Sequence, residues 1–461
     1  MTTRLSEERG TVNGGGAFGY DPVAARPHAL PHTGAAPEHE REARPMVDAV
    51  TVRLVTTFAA PLDRERAAAD VPSLVRWPAP HPDGGPGRRL LVQRGDTELV
   101  VLAPDAADAP DTADSADAAD TPGASDTAGA SDTPGMAGTA GTAGTANAPT
   151  VRFPAPWPRH FGTFAVAPDA GLAVFAGVHA VRAVDPTGAV RWEVAHGCWE
   201  GSCRTLHAGF EEYATDVRHR YPDSGSAVFS ADGTLVWAHI RGPVAASGPD
   251  PEALDEWLVI DAADGRVLGR ADAETAAAGS DHVPHPDPAR MGLGVGEGQD
   301  GVPLLWGRWD GEELSVERFC NDERILTAVS PSGDRFLTVT HYEETLGVHR
   351  VDDGSVLAEL DTEHAVPRHP GADPDDQDAD ETLWDYKCGF LDEETVVAGT
   401  SARDEEYGEA RHWLVSTAGE EMRVTAQLAY PFPVSGAPTA LGDGTWYTVS
   451  ESGDALHVWS R

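Results

Sequence analysis

Residues 227–240, AVFSADGTLVWAHI, set two apolar runs on either side of a short polar break that ends in Asp-Gly. The pattern predicts a strand, a tight turn and a second strand, because Asp can close the turn on the backbone and Gly takes the positive φ of the reversal. The plan recurs at 164–175, FAVAPDAGLAVF, and at 328–337, AVSPSGDRFL. Each of these hairpins is followed by another with its own turn, VDPTGAV at 184–190, IDAADGRV at 260–267 and VDDGSV at 351–356. Weaker copies pair 390–399 with 413–428 and 440–449 with 455–459.

The ends and the gaps of the pattern carry further expectations. Residues 51–58, TVRLVTTF, alternate over one strand's length with no hairpin partner following. SLVRW (73–77), RRLLVQRGD (88–96) and TELVVLAPD (97–105) supply three strands, and TVRFPAP (150–156) a fourth. Between them residues 103–149 are degenerate Ala, Asp, Thr, Gly and Ser repeats, so a flexible insertion inside one sheet is expected there. Residues 1–45 lack periodicity and read as a disordered tail, which leaves 46–461 as one domain. Units starting near 73, 162, 226, 290, 325, 386 and 434 number seven. The last has three strands only, and the solitary strand at 51–58 is expected to pair with it, removing two exposed edges.

Four-stranded units of roughly 40 residues repeated along a chain predict an all-β fold, a seven-bladed β-propeller. The hairpins resemble WD40 and quinoprotein-like repeats, AVDPTGAVRWEV at 183–194 being most similar to the latter, although the Gly-His and Trp-Asp dipeptides of WD40 repeats are absent. The resemblance implies a fold and no particular activity.

Composition restricts the partners. With 75 Asp+Glu against 34 Lys+Arg the net charge is −41, which repels nucleic acid and anionic membrane surfaces. Seven acids and five arginines in residues 1–50 and eight acids in 103–149 leave most of that charge on the remainder. Lys387 is the sole lysine, and the abundance of Ala, Gly, Pro, Asp and Arg matches a GC-rich coding bias. Four cysteines do not make a disulfide framework, no stretch reaches the roughly 20 apolar residues of a membrane span, and the N-terminus has no signal-peptide core. A cytoplasmic, monomeric protein with reduced cysteines is expected.

In a propeller the connections between second and third strands and those between blades open at one end, the remaining turns at the other. Insertions at 195–225, 241–255, 271–289, 362–385 and 401–409 all fall in the first class. Long connections gathered at one end favour a binding surface. His196, His207, His219, His282, His285, His364 and His369 are assigned to between-blade loops, and His239 and His341 to the ends of second strands. The candidate ligand-binding residues are therefore His207, Glu211, Glu212, His219, His239, His282, His285, His341, Trp199 and Trp384, with Asp216 beside them. Imidazoles and carboxylates so placed could hold a metal or move protons, while polar residues are also what exposed loops ordinarily carry. Trp199 and Trp384 serve either as partner contacts or as anchors of their own loops.

One loop concentrates soft ligands: His196, Cys198, Cys203 and His207 offer two imidazoles and two thiols to a tetrahedral zinc. A reduced buried pair and a disulfide are the alternatives at this stage. The acids at 373–381 fail the EF-hand pattern, the glycines at 292–298 are not a G-x-G-x-x-G loop, and no nucleophile elbow, Walker loop or H-E-x-x-H occurs. The leading expectation is a non-catalytic scaffold that binds a protein or small ligand on its long-loop face, with no cofactor unless zinc. The alternative is a metal-dependent hydrolase or lyase, which would gather three or more His or carboxylates around the propeller axis.

Overall fold

A computed structural model of the chain describes residues 47–77, 88–104, 149–200, 203–219, 225–242, 255–298, 301–319, 323–372, 382–408, 410–419 and 421–461. The tail at 1–45, nearly all of 103–149 and the acidic stretch at 373–381 lie outside the described residues. The strands form seven separate sheets. Blade 1 comprises Ser73–Arg76, Arg89–Arg94, Glu98–Leu102 and Thr150–Pro154, so the strands on either side of the low-complexity segment are hydrogen-bonded neighbours, with Leu102 opposite Thr150. Blade 2 begins at Gly162–Val166, blade 3 at Ser226–Phe229, blade 4 at Gly279–Pro284, blade 5 at Arg324–Val329, blade 6 at Gly389–Phe390 and blade 7 at Ser435–Ala440. From blade 2 round to blade 7 the first strand of each blade meets the first strand of the next, which places these strands nearest the axis.

The hairpins form for the reasons read in the sequence. Asp232 Oδ1 accepts from Thr234 N at 3.0 Å, Asp185 Oδ1 from Thr187 N at 2.9 Å and Asp261 Oδ1 from Ala263 N at 2.9 Å. Gly233 has φ +73°, and a Cβ there would lie 2.7 Å from Pro168 Cδ in the corresponding turn of blade 2. Glycine thus serves the turn and the contact between blades at once. Strand tryptophans fill the space between sheets: Trp237, Trp257, Trp413, Trp446 and Trp459 are fully buried, and Trp192 and Trp306 nearly so. The indole N–H groups of Trp413 and Trp459 find partners inside the core, Thr400 Oγ1 and Thr448 Oγ1, whereas that of Trp237 is buried without one.

The N-terminal segment divides between two blades. Arg53–Ala59 pairs antiparallel with Ala455–Ser460 and completes blade 7 as its outermost strand, as the unpartnered alternation predicts. Ala49–Thr51 adds a fifth, parallel strand to the outside of blade 6, against Gln427, Leu428 and Ala429. That second pairing has no counterpart in the sequence pattern, because three residues carry too short a period to read.

Blade 4 departs from expectation. Its first strand is Gly279–Pro284, inside the stretch read as a loop, and the unit predicted to start at Arg290 starts eleven residues earlier. GSDHVP has loop composition, yet next to the axis a strand needs small and hydrogen-bonded side chains more than large apolar ones. Ser280 and His282 are buried there, and His282 Nδ1 donates to Ser226 Oγ at 2.8 Å while its Nε2 accepts from Trp257 Nε1 at 2.9 Å. His285 consequently sits in the first turn of blade 4, at the end opposite the long connections, with Nε2 2.9 Å from Gly333 O in the first turn of blade 5. None of the helices among the described residues is long and apolar enough to cross a membrane.

Candidate functional site

The antiparallel order of each blade brings four of the five predicted insertions to one end of the barrel of blades. They are the connections from blade 2 to blade 3 after Ala195, within blade 3 after Arg241, from blade 5 to blade 6 after Asp361, and within blade 6 after Gly399. The fifth shortens to residues 273–278 once Gly279–Pro284 is recognised as a strand.

The connections of blade 6 are stitched together by buried charge. Ser401–Asp404 forms one helical turn, and Arg411 donates to both Asp404 oxygens at 2.8 Å, with side chains 6% and 2% exposed. The same guanidinium donates to Pro367 O at 2.7 Å, and His369 stacks on Tyr407 at 5.0 Å, so the 362–385 and 401–408 segments are tied to each other. Trp384 is fully buried, its indole donating to Leu360 O at 3.1 Å, and Trp199 is 3% exposed. Both indoles therefore anchor their loops and face no solvent.

His412, on the third strand of blade 6, is fully buried and belongs to a chain of hydrogen bonds. Trp446 Nε1 donates to Tyr430 Oη at 2.9 Å, Tyr430 Oη lies 2.7 Å from His412 Nδ1, and His412 Nε2 donates to Gly436 O at 2.9 Å. Burial pushes the imidazole down to about 4, so it is neutral in the fold. Between the unfolded value near 6.5 and the folded value, only the unfolded chain binds this proton, and stability present at neutral pH is lost as pH falls through that window. The loss amounts to about 3 kcal/mol. His412→Gln is expected to flatten the fall of unfolding free energy between pH 6 and 4.5 by about one proton, ~1.4 kcal/mol per pH unit. Urea titrations at several pH values read this difference, and parallel slopes for the two proteins would contradict it.

A second buried constellation occupies blade 3. Asp255 accepts from Arg241 Nη1 at 3.0 Å, Ala277 N at 2.7 Å and Thr275 Oγ1 at 3.2 Å, with His239 Nε2 3.9 Å away. Burial drives the two partners oppositely, the carboxyl up to about 6 and the imidazole down to about 3. The set is a neutral histidine beside a carboxylate, both closed to solvent, with the carboxylate held by a guanidinium that reaches the surface. His341, half-buried, ends the second strand of blade 5, and its carbonyl accepts from Tyr386 Oη at 2.7 Å.

The connection from blade 2 to blade 3 holds the densest chemistry. Cys198, Cys203, His207 and His219 bring their Sγ and ring nitrogens within 4.8 Å of one another. His219 Nε2 is 3.3 Å from Cys198 Sγ and 3.4 Å from Cys203 Sγ, and His207 Nε2 is 3.4 Å from Cys203 Sγ. Burial pushes the Cys198 thiol up to about 12 and raises Cys203 as well. The outer ring nitrogens face carboxylates, His207 Nδ1 3.1 Å from Glu212 Oε2 and His219 Nδ1 3.4 Å from Asp216 Oδ2. Arg218 holds the Asp216 carboxyl down to about 2, and the hydrogen bond from His207 lowers Glu212.

Three of the four residues predicted from the sequence as one ligand set are therefore together, and the fourth is replaced. His196 is turned away, its Nδ1 2.7 Å from Gly197 O, while His219 supplies the second imidazole. His219 lies twelve residues beyond His207, and only the return of the loop through two 3-10 turns, Phe210–Glu212 and Val217–His219, brings it back. Glu211 is exposed on the first of these turns. His179, unremarked in the sequence, closes the wall behind the cluster with Nδ1 2.7 Å from Tyr213 Oη. Among the described residues the only other set of this kind is Asp361, Glu363 and His364, all exposed. Each set comes from a single connection, so neither pools ligands from several blades around the axis.

No family model matches the chain, and no curated protein matches it. It is similar to several solved structures. The WD40 repeats of RRP9 share 8% identity at a TM-score of 0.46, covering 89% of this chain and 99% of that one. A chain of the mitotic checkpoint complex shares 8% at 0.44, covering 95% and 99%. BamB from Moraxella catarrhalis shares 13% at 0.31, covering 65% and 85%.

Proposed function

We propose that this seven-bladed, WD40-like β-propeller is an interaction scaffold that receives a protein of basic surface at the end where its long insertions emerge. The observation that carries the reading is the coincidence of insertions and exposed apolar side chains at that end. Leu206 and Val217, 52% and 77% exposed, lie on the blade 2 to blade 3 connection, and Tyr342, 68% exposed, lies at the second turn of blade 5. Leu206 and Val217 share their connection with the acids Glu200, Glu211, Glu212 and Asp216 and with two arginines, Arg204 and Arg218, the latter paired with Asp216. Exposed apolar residues among charged ones are the composition of a contact surface. The net charge of −41 supports a basic partner and an association that weakens with salt.

A photo-activatable residue placed at 206, 217 or 342 tests the reading in the cell of origin, with positions 190 and 356 on outer strands as controls. Cross-links to one protein from the first three positions, reduced roughly tenfold by Leu206→Glu with Val217→Glu, are the expected outcome. Cross-links confined to 190 and 356, or indifferent to the two substitutions, would overturn it.

A further inference from the structure

We infer that Cys198, Cys203, His207 and His219 form a closed Cys2His2 zinc site that braces the connection between blades 2 and 3. Tetrahedral zinc with bonds of about 2.0 Å to nitrogen and 2.3 Å to sulfur sets neighbouring ligand atoms roughly 3.3–3.8 Å apart. The three sulfur–nitrogen separations of 3.3, 3.4 and 3.4 Å fall on those edges. Both imidazoles turn Nε2 inward; the outer Nδ1 of His207 is hydrogen-bonded to Glu212, and that of His219 lies 3.4 Å from Asp216 without a hydrogen bond to it. At His207 that second layer fixes which nitrogen is free to bind. A pair of thiols with a pair of imidazoles selects zinc over calcium or magnesium, which take oxygen ligands.

The site's surroundings favour a structural ion over a catalytic one. All four tetrahedral positions are filled by protein atoms, with no place for water or substrate. Cys198 and His219 are buried, and Tyr213 stacks on the His219 ring at 4.8 Å. Phe210 and Phe161 extend the aromatic wall behind it. Residues 203–219 contain no strand and only two 3-10 turns of three residues each, and apart from the four side chains their path is held by the buried Tyr213 with its contacts to His179, Phe161 and Phe210. A metal there adds to that packing a fixed point joining the start of the connection at Cys198 to its far turn at His219.

Metal content of the full chain, purified under reducing conditions without chelator, gives the first reading, and one zinc per chain is expected. His219→Asn is expected to lose it, whereas His219→Cys, which restores a fourth ligand, and His196→Asn, which removes the imidazole that faces away, are expected to retain it. In the wild type, a strong chelator is expected to raise the rate of proteolysis within 203–219 roughly tenfold, leaving the strands protected. Cobalt added to the stripped protein should give the visible bands of a tetrahedral thiolate site. Wild-type protein without zinc, unchanged in cleavage by chelator and with both thiols open to titration, overturns the inference. So does a Cys198–Cys203 disulfide in protein kept reduced, and zinc lost from His196→Asn but kept by His219→Asn overturns the ligand set.

Discussion

A chain that starts at residue 61 is expected to lose the cooperative unfolding transition of one that starts at residue 46. The difference between the two isolates the strand Arg53–Ala59 and the parallel addition Ala49–Thr51. Six residue pairs join Arg53–Ala59 to Ala455–Ser460, and Thr57 Oγ1 meets His457 Nδ1 at 3.0 Å. Phe58, 6% exposed, packs with Leu456 and Val458 of blade 7 and with Leu74, Leu91 and Leu102 of blade 1. Val52 and Leu54 pack toward Trp446, Trp459 and Leu428, where blades 6 and 7 meet.

Phenylalanine truncation in a core costs about 3–5 kcal/mol by itself. Adding the other apolar side chains and the lost ladder brings the total to roughly 5–10 kcal/mol, comparable with the whole stability of an ordinary domain. Calorimetry or urea titration of the two truncations reads the result directly. Equal transition midpoints would show that the ring does not depend on its closing strand.

The second large effect is expected at the ion pair of Arg411 and Asp404. Both side chains are buried, the guanidinium meets both carboxylate oxygens at 2.8 Å, and it also lies 5.1 Å above the Trp413 ring. Two charges so placed have lost their water, and their mutual attraction offsets that loss without a large surplus. Arg411→Met leaves the Asp404 carboxylate buried with no counter-charge and frees Pro367 O, and a destabilisation of about 3–5 kcal/mol is expected. Asp404→Leu combined with Arg411→Met removes both charges and is expected to recover most of it. Urea midpoints of the single and double variants measure the coupling. A single variant within about 1 kcal/mol of the wild type would contradict the account.

Legibility in the sequence followed the period of the elements. Seven units, their Asp-Gly and Asp-x-x-Gly turns and the solitary closing strand were readable because alternation over five or more residues is a local property. Blade 4 was misplaced because its first strand, GSDHVP, takes its burial from neighbours: His282 is stable inside only because Ser226 and Trp257 come from the adjoining blade. For Trp199 and Trp384 the sequence left partner contact and loop anchoring open, and it is the packing that buries them as anchors.

By itself, then, the chain's apolar rhythm determined the number of blades, their turns and the end from which most long connections leave, since pairing between adjacent strands is settled by local order. Which side chains meet within those connections was decided only in three dimensions. Cys198, Cys203 and His207 are close in sequence and remain close in space. The choice of His219 over His196 as the fourth member depends on a loop that folds back on itself, held by Glu212, Asp216 and an aromatic wall from Phe161, Phe210 and Tyr213. Spacing along a chain specifies distance only where the backbone is regular, and in this connection it is not.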